Sequence, residues 1–313
     1  MDNQPLVSVP VITYNSSKYV IETLESIKSQ TYQNLELIVS DDCSTDNTVE
    51  LCRNWIEKNK DRFVRTELLT VGENTGISAN CNRAESACNG EWIKMIAGDD
   101  LLVPKCVDIC IEYVTGHLDV IYLFGRRNAF GSDSDTCKHI NESFDYSFFN
   151  LTIEDQLHRL IYDANCVPAV TAFYNVKRLE KIGVRYDERI PLLEDWPRWI
   201  NLLKAGVKFH FVNDVVVDYR IGGISTVSNI NSNFYRSGKL FYYLYIYPER
   251  IKKNPEKEIC RLVDEEVEMY EYTRKIEEQL SHIENSYSYR FGKKIIRPLS
   301  KIKKYFCALL NVG

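Results

Sequence analysis

Short apolar runs alternate with helical segments over residues 1–124, and this alternation constrains the fold more than any other feature of the chain. Strands that alternate with helices of this length favour an α/β fold with a doubly wound, mostly parallel sheet and helices on both faces. The runs have the length and flanking turn residues of buried strands, and we predict strands at 6–13, 35–40, 65–70, 91–96 and 119–124.

The alternation ends after residue 124, and the composition changes again near residue 229. Residues 125–150 are polar and rich in turn formers, which predicts a loop or a twisted hairpin insertion. Beyond it, the pattern predicts helices at 151–162, 175–182 and 192–206 and strands at 207–219. We therefore predict one domain over 1–228, with halves 1–124 and 125–228, and a helical C-terminal extension over 229–313.

The composition argues against several classes of protein. The net charge of −5 over 313 residues does not favour nucleic-acid binding. Ten cysteines without a CxxC pair indicate reduced, mostly buried thiols in the cytoplasm. We identify no apolar run of membrane-spanning length and no signal peptide.

Polar clusters follow three of the predicted strands: Thr13-Tyr14-Asn15, Asp41-Asp42 and Asp99-Asp100. Ligands of open α/β sheets bind beyond the carboxyl ends of the strands, so the clusters should share one edge. The chain has neither GxGxxG after its first strand nor GxxxxGK[ST], and carboxylates with a divalent cation remain as a way to hold a diphosphate. The alternative for Gly98-Asp99 is an ordinary solvated turn.

Four segments carry a resemblance to a known family: VSVPVITYN, SIKSQTYQNLELIVSDDCSTDNT, NTGISANCN and GEWIKMIAGDD. In order and spacing they resemble family 2 glycosyltransferases of the GT-A fold, over roughly residues 5–225. The resemblance implies that a sugar is transferred, with inversion, from a nucleotide-sugar, usually a UDP-sugar, with Mn²⁺ or Mg²⁺. It also implies that 1–124 binds the nucleotide-sugar and 125–228 the acceptor.

The same resemblance implies roles for individual residues. Asp41 or Asp42 would meet the uracil or ribose, and Asp99 would be the metal-side carboxylate of the DxD motif. Glu194-Asp195 matches the ED motif, with Asp195 as general base and Glu194 as its substitute or as a hydrogen-bonding partner of the acceptor. Asp195 is also well placed to cap a helix. The residues implied in donor binding are Thr13, Tyr14, Asn15, Asp41, Asp42, Gly76, Asn82, Gly98, Asp99 and Asp100.

Three departures from the family pattern affect the donor site. Ala97 replaces the first aspartate of the motif, Cys81 stands where an arginine is frequent, and no histidine follows Tyr219-Arg220. Metal binding without donor should therefore be weak. The basic group near the diphosphate could be Arg83, Lys94 or a C-terminal residue, and the phosphates could also meet Arg220 or Ser225.

The C-terminal extension combines an aromatic run at 241–247, a Glu-rich helix at 256–280 and a basic segment at 290–304. The aromatic run is typical of core packing or of a homodimer contact. The basic amphipathic segment predicts peripheral attachment to the inner face of the cell membrane, or a helix packed on the catalytic domain. Membrane attachment fits a lipid-diphosphate-linked saccharide acceptor in bacterial O-antigen or capsule synthesis.

Two rival functions follow from the same sequence. A nucleotidyltransferase that makes sugar nucleotides would need a glycine-rich basic loop, which residues 5–20 lack. A non-catalytic nucleotide-sugar or glycan-binding protein derived from this fold fits Ala97, Cys81 and the missing histidine.

Overall fold

A computed structural model describes residues 4–142, 145–222 and 232–285 of the chain. The chain divides into two compact units, Met1–Glu249 and Arg250–Gly313. The division falls after Glu249, whereas the predicted domain boundary at residue 228 lies outside the described residues.

In the described residues one sheet contains nine strands: β1 Val7–Thr13, β2 Leu35–Asp41, β3 Arg65–Thr70, β4 Trp92–Ile93, β5 Ile96–Ala97, β6 Leu101–Leu102, β7 Tyr122–Gly131, β8 Phe173–Asn175 and β9 Phe209–Ile221. Their order is β3-β2-β1-β4-β8-β7-β9-β6, and β5 pairs with β1. Strands β1 to β5 run parallel, as do β7 and β9, whereas β8 and β6 run antiparallel to their neighbours. The prediction of a mostly parallel α/β sheet is confirmed.

The helices within the first unit are α1 Val20–Lys28, α2 Thr48–Asn59, α3 Ile77–Ser86, α4 Cys106–Gly116, α5 Ser134–Glu142, α6 Ile153–Tyr162, α7 Val176–Ile182, α8 Asp195–Lys204 and α9 Ser232–Phe241. Apolar faces at helical spacing fix α1 on the sheet, where Val20, Leu24 and Ile27 are wholly buried beside the buried valines of β1. No side chain caps α1, and the helix begins at Val20.

The predicted strand at 91–96 is interrupted. Its first part, β4, pairs with Val7 and Ser8, and its second part, β5, pairs with Val11 and Ile12 of the same strand. Lys94 lies between them, wholly buried, and its ammonium group donates a 2.6 Å hydrogen bond to the carbonyl of Val170. The ammonium group therefore lies inside the fold rather than at the edge of the sheet, and its burial lowers the pKa of Lys94.

The prediction of a loop or a twisted hairpin insertion at 125–150 was wrong. Strand β7 continues to Gly131 alongside β9, with register shifts between Phe124 and Arg127, and α5 follows. The polar residues of this strand are accommodated because their side chains meet aromatic rings. Arg126 lies over Tyr146 at 5.5 Å, and Arg127 lies over Tyr219 at 5.2 Å.

The aromatic run at 241–247 forms a π-helical turn, Tyr242–Ile246, which links α9 to α10 (Tyr247–Lys253). Phe241 and Ile246 are wholly buried, and the ring of Phe241 lies 4.6 Å from that of Trp196. The run therefore contributes to the core of the first unit.

The second unit contains α11, Pro255–Asn285. Among the described helices, none combines the length and the apolar character that crossing a membrane requires. The basic segment at 290–304 lies outside the described residues.

Candidate active site

The carboxyl ends of β1 and β2 meet at the edge of the sheet, where Thr13 lies in register with Asp41. Thr13 Oγ1 donates to Asp41 Oδ2 at 2.9 Å, and the amide of Ser44 donates to Asp41 Oδ1 at 2.8 Å. Asp41 is 1% exposed, so its carboxylate shapes the loop that follows β2. Its predicted contact with the nucleotide stays a prediction.

Asp42 holds the start of α3. Its carboxylate accepts hydrogen bonds from the amides of Thr75 and Gly76, at 3.0 and 2.8 Å, and pairs with Arg83 at 3.0 Å. Gly76 adopts φ +88°, and a Cβ there would lie 2.6 Å from Cβ of Pro191, which explains the glycine. Asp42 is thus surrounded by donors of the protein itself, and its contact with uracil or ribose also stays a prediction.

The loop after β1 presents a ring to solvent. The Tyr14 side chain is 42% exposed. Asn15 has a left-handed backbone, φ +51°, and its Oδ1 accepts from the amide of Thr45 at 2.8 Å. The two loops that follow β1 and β2 are therefore joined, with the Tyr14 ring accessible for a base to stack on.

Asn82 joins α3 to the segment that precedes α8. Its amide donates to the carbonyl of Tyr186 at 2.9 Å and to Glu188 at 2.8 Å, and its Oδ1 accepts from the amide of Tyr186 at 3.0 Å. Asn82 is 4% exposed. These contacts give Asn82 a structural role in the described residues, and its predicted part in donor binding is untested.

Gly98, Asp99 and Asp100 follow β5, at the same edge of the sheet as Thr13. Gly98 donates its amide to Ile12 at 2.9 Å, and a Cβ there would lie 2.9 Å from Cγ2 of Thr13. Asp99 and Asp100 are each at most 5% exposed. The turn therefore buries two adjacent carboxyl groups beside the loop that carries Tyr14.

Arg220 of β9 braces this turn. Its amide donates to Asp100 Oδ1 at 2.8 Å, and its Nε donates to the carbonyl of Asp99 at 2.7 Å. Its guanidinium also pairs with Glu22 at 2.7 Å. Arg220 therefore stabilises the backbone of the motif.

Burial raises the pKa of Asp100 to about 7, and the charge of Asp99 adds to the effect. Two acidic groups in this setting are suited to a hard divalent cation, which would relieve their repulsion. In the described residues no three histidine, cysteine, aspartate or glutamate side chains converge as a metal site. The residues therefore fit a cation that takes part of its coordination shell from the donor diphosphate.

Glu194 and Asp195 form a second carboxylate pair at the start of α8. Glu194 is the N-cap residue and Asp195 is the first residue of the helix, so the predicted cap at Asp195 was wrong by one residue. Asp195 Oδ1 accepts a hydrogen bond from the main-chain amide of Trp196 at 2.6 Å. Its Oδ2 accepts one from the side-chain amide of Asn165 at 2.8 Å. These donors orient the Asp195 carboxylate and leave it lone pairs for a further partner.

The two acids of this pair differ in their electrostatics. Burial raises the pKa of Glu194 to about 8, and the charge of Asp195 raises it further. Burial also raises the pKa of Asp195, but hydrogen bonds from Trp196 and Asn165 favour its ionised form. At neutral pH Glu194 therefore keeps its proton, while the hydrogen bonds to Asp195 oppose the effect of burial on that carboxylate.

The phenol of Tyr219, in β9, is affected by charges of both carboxylate pairs. Burial raises the pKa of its phenol, and the charges of Asp100 and Asp99 raise it further. Glu194 contributes in the same direction, while Arg127 beneath the ring opposes it. Charges of both pairs therefore act on one phenol, with Glu194 the weakest of the causes.

Tyr219 and Arg127 were missed as site residues. Arg127 fell in the segment that was predicted as a loop, and the Tyr219-Arg220 pair was considered only for Arg220.

The other basic groups considered from the sequence are already engaged. Arg83 contacts Asp42, and the buried Lys94 donates a hydrogen bond to the carbonyl of Val170. Ser225 lies outside the described residues. The charge of Asp100 interacts with Arg127, and also with Lys94 and Arg220.

A buried ion pair supports α8 from below. Arg198 is wholly buried, donates to Glu85 of α3 at 2.8 Å, and lies 3.9 Å above the ring of Tyr186. The Tyr174 hydroxyl donates to the same Glu85 oxygen at 2.8 Å. Arg198 is one turn after Asp195, so this network fixes the start of the helix that carries the second pair.

Comparison with known proteins identifies the family. The family model described as Glycosyl transferase family 2 matches residues 8–183, more than half of the chain. The chain belongs to this family. Among curated relatives, this family 2 glycosyltransferase is 23% identical over 248 residues to the "Putative teichuronic acid biosynthesis glycosyltransferase TuaG" of Bacillus subtilis, covering 79% of this chain and 90% of that one. It is 34% identical over 109 residues to the chondroitin synthase of Escherichia coli, covering 34% and 15% of the two chains.

Solved structures show the same GT-A fold. Staphylococcus aureus TarS 1–349 in complex with UDP-GlcNAc matches with a TM-score of 0.58 and 21% identity, over 76% of this chain and 66% of that chain. The mannosyltransferase PcManGT from Pyrobaculum calidifontis, in complex with GDP-Man and Mn²⁺, matches with a TM-score of 0.52 and 19% identity, over 80% and 65%. This family 2 glycosyltransferase therefore spans just under two thirds of each of these solved chains.

Proposed function

We propose that this chain transfers a sugar, with inversion, from a UDP-hexose to a hydroxyl group of a lipid-diphosphate-linked saccharide. The observation that carries the proposal is the presence of two carboxylate pairs, Asp99-Asp100 and Glu194-Asp195, whose charges both raise the pKa of Tyr219. One cluster suits a cation and a diphosphate, and the other suits a proton transfer. The TarS complex with UDP-GlcNAc supports a UDP-sugar donor, and the name of TuaG supports a role in surface polysaccharide synthesis, such as O-antigen or capsule.

On the donor side, Tyr14 offers a ring to the base, and Thr13, Asn15 and Gly98 shape the loop beneath the nucleotide. Asp99, with Asp100 in support, would hold Mn²⁺ or Mg²⁺ together with the diphosphate. A bound cation would neutralise the charge that develops on the departing nucleotide. Arg127 adds positive charge on the Asp100 side of the site.

On the acceptor side, Asp195 is the general base. Its carboxylate takes the proton of the acceptor hydroxyl while the hydroxyl oxygen bonds to the anomeric carbon and the bond from that carbon to the diphosphate oxygen breaks. Glu194 is protonated at neutral pH, so it can donate a hydrogen bond to a second oxygen of the acceptor. The helix N-terminus and Asn165 keep Asp195 oriented and ionised.

The assay measures release of nucleotide from a panel of UDP- and GDP-sugars with Mn²⁺, with Mg²⁺ and with chelator. One UDP-hexose should be hydrolysed slowly, and Asp99→Ala or chelator should abolish this hydrolysis. Asp195→Asn should bind that donor with unchanged affinity but lose transfer by about 10²- to 10⁴-fold. Asp214→Asn, at an exposed aspartate of β9, is the matched control and should retain activity.

Transfer that survives in Asp195→Asn would contradict the general base. Donor binding without turnover, on lipid-linked acceptors extracted from a polysaccharide-producing bacterium, would favour the non-catalytic binding protein instead. Absence of any metal-dependent UDP binding would overturn the donor site itself.

We also propose that the basic segment at 290–304 attaches the chain to the inner face of the cytoplasmic membrane. Its seven lysines and arginines, without an acidic residue, are suited to anionic lipid. Flotation with vesicles containing phosphatidylglycerol should recover the chain at low salt, and replacement of four of these cations by glutamine should abolish recovery. Equal recovery on neutral phosphatidylcholine vesicles would contradict this attachment.

A further inference from the structure

Helix α11, Pro255–Asn285, is 31 residues long. At 1.5 Å per residue it extends for about 46 Å. Helices of this length in water depend on packing of an apolar face rather than on intrinsic helix propensity. Side chains such as Ile259 and Met269 are nevertheless 51% and 45% exposed.

Several apolar residues of α11 recur at heptad spacing, and others, among them Val263 and Val267, lie beside this repeat. With Ile259 as position a, the a and d positions alternate by three and four residues over 259–283. This spacing keeps one seam facing a partner helix when two helices wrap around each other with a left-handed supercoil. The seam positions whose side chains the structure describes are Ile259, Leu262, Glu266, Met269, Thr273 and Ile276.

The opposite face of the helix is charged. The f positions, which lie farthest from the seam, are Lys257, Asp264, Glu271 and Glu278, and all four are exposed. The helix therefore has a charged face opposite the heptad seam. A helix that contacts only solvent would not need this division into two faces.

We propose that α11 is a self-association helix, and that its seam packs against the seam of a second copy of this chain. A second copy presents the identical heptad pattern, so the interface is self-complementary. The flanking e and g positions support this occupant. In a parallel pair Glu265 would face Tyr270, and Glu277 would face Tyr272, so that no two glutamates oppose each other there.

Glu266 is the charged residue in the seam, and its replacement tests the proposal directly. A carboxylate at an a position weakens association while it restricts the register of the pair. Its replacement by leucine buries apolar surface in the seam, and association should tighten by about tenfold or more. A helix face used only in contact with solvent would show no such gain.

The experiment is sedimentation equilibrium of the full chain. The wild type should have a mass of at least twice the 36.4 kDa of one chain. The double variant Leu262→Lys/Met269→Lys should be a monomer. The matched control, Asp264→Lys/Glu271→Lys, introduces the same two lysines on the outer face and should keep the wild-type mass.

Circular dichroism and nucleotide binding, measured on each variant, separate loss of association from loss of fold. A monomeric wild type at 50 µM, about the upper range of such measurements, would overturn the proposal. So would equal dissociation in the seam variant and the control, or an unchanged mass in the seam variant. None of these outcomes depends on whether the chain transfers a sugar.

Discussion

Glu194→Gln should change how the stability of the chain depends on pH. In the folded chain the pKa of Glu194 is raised from 4.5 to about 8, because the carboxyl group is buried beside Asp195. Between these values the folded chain keeps a proton that the unfolded chain has released. The contribution of Glu194 to stability is therefore complete below pH 4.5 and is lost as the pH rises through 8.

The size of this effect follows from the shift. Each pKa unit corresponds to about 1.4 kcal/mol, so the full shift would amount to roughly 5 kcal/mol. The side chain is only half-buried, and solvent screening reduces the value. We therefore expect Glu194 to remove about 2 kcal/mol of stability between pH 5 and pH 9. The Glu194→Gln variant does not lose this stability. Its free energy of unfolding should therefore exceed that of the wild type by a growing amount as the pH rises.

The measurement is urea unfolding of both proteins at pH 5, 7 and 9. The free energies of unfolding should be similar at pH 5 and should differ by about 2 kcal/mol, in favour of the variant, at pH 9. Glu154→Gln, at an exposed glutamate in the first turn of α6, removes the same charge and should show no such divergence. Parallel pH profiles for the wild type and Glu194→Gln would refute the assigned environment of Glu194.

Three further substitutions test the packing around the site. Gly76→Ala should lower the free energy of unfolding by about 2 kcal/mol in urea, because φ is +88° and the new Cβ would meet Pro191; an unchanged stability would contradict this geometry. Asn82→Ala should cost about 2 to 3 kcal/mol and speed hydrogen exchange in the segment before α8, and normal exchange there would show that other contacts hold that segment. Arg198→Met should cost about 3 to 5 kcal/mol, and adding Glu85→Gln should restore most of it; a double variant as unstable as the single one would argue against a simple ion pair.

The parallel half of the fold could be predicted because its strands are buried on both faces. Such strands appear in the sequence as continuous apolar runs, and the buried strands β1 and β2 lie within a residue of their predicted bounds. The failures have a physical cause as well. Strand β7 continues through Arg126 and Arg127, whose charges are accommodated by rings distant in sequence, and no local pattern encodes those rings.

The candidate site was predictable only where adjacent residues carry it. Asp99-Asp100 and Glu194-Asp195 are conspicuous as pairs, and the edge of the sheet follows from the strand order. Tyr219 could not be assigned in advance, because its role arises from carboxylates that lie about 25 and 120 residues away in the chain. The difference in proton affinity between Glu194 and Asp195 likewise comes from burial and from Asn165.

The contacts between α3 and the segment before α8 bear on how such an enzyme could be recombined. Ser78 donates to the carbonyl of Ile190 at 2.7 Å, Gly76 lies against Pro191, and Asn82 holds both main-chain groups of Tyr186. These matched parts are about 100 residues apart in sequence. A chimaera that takes the α8 region from one relative and α3 from another would therefore combine unmatched halves, so the two segments should be inherited from the same parent.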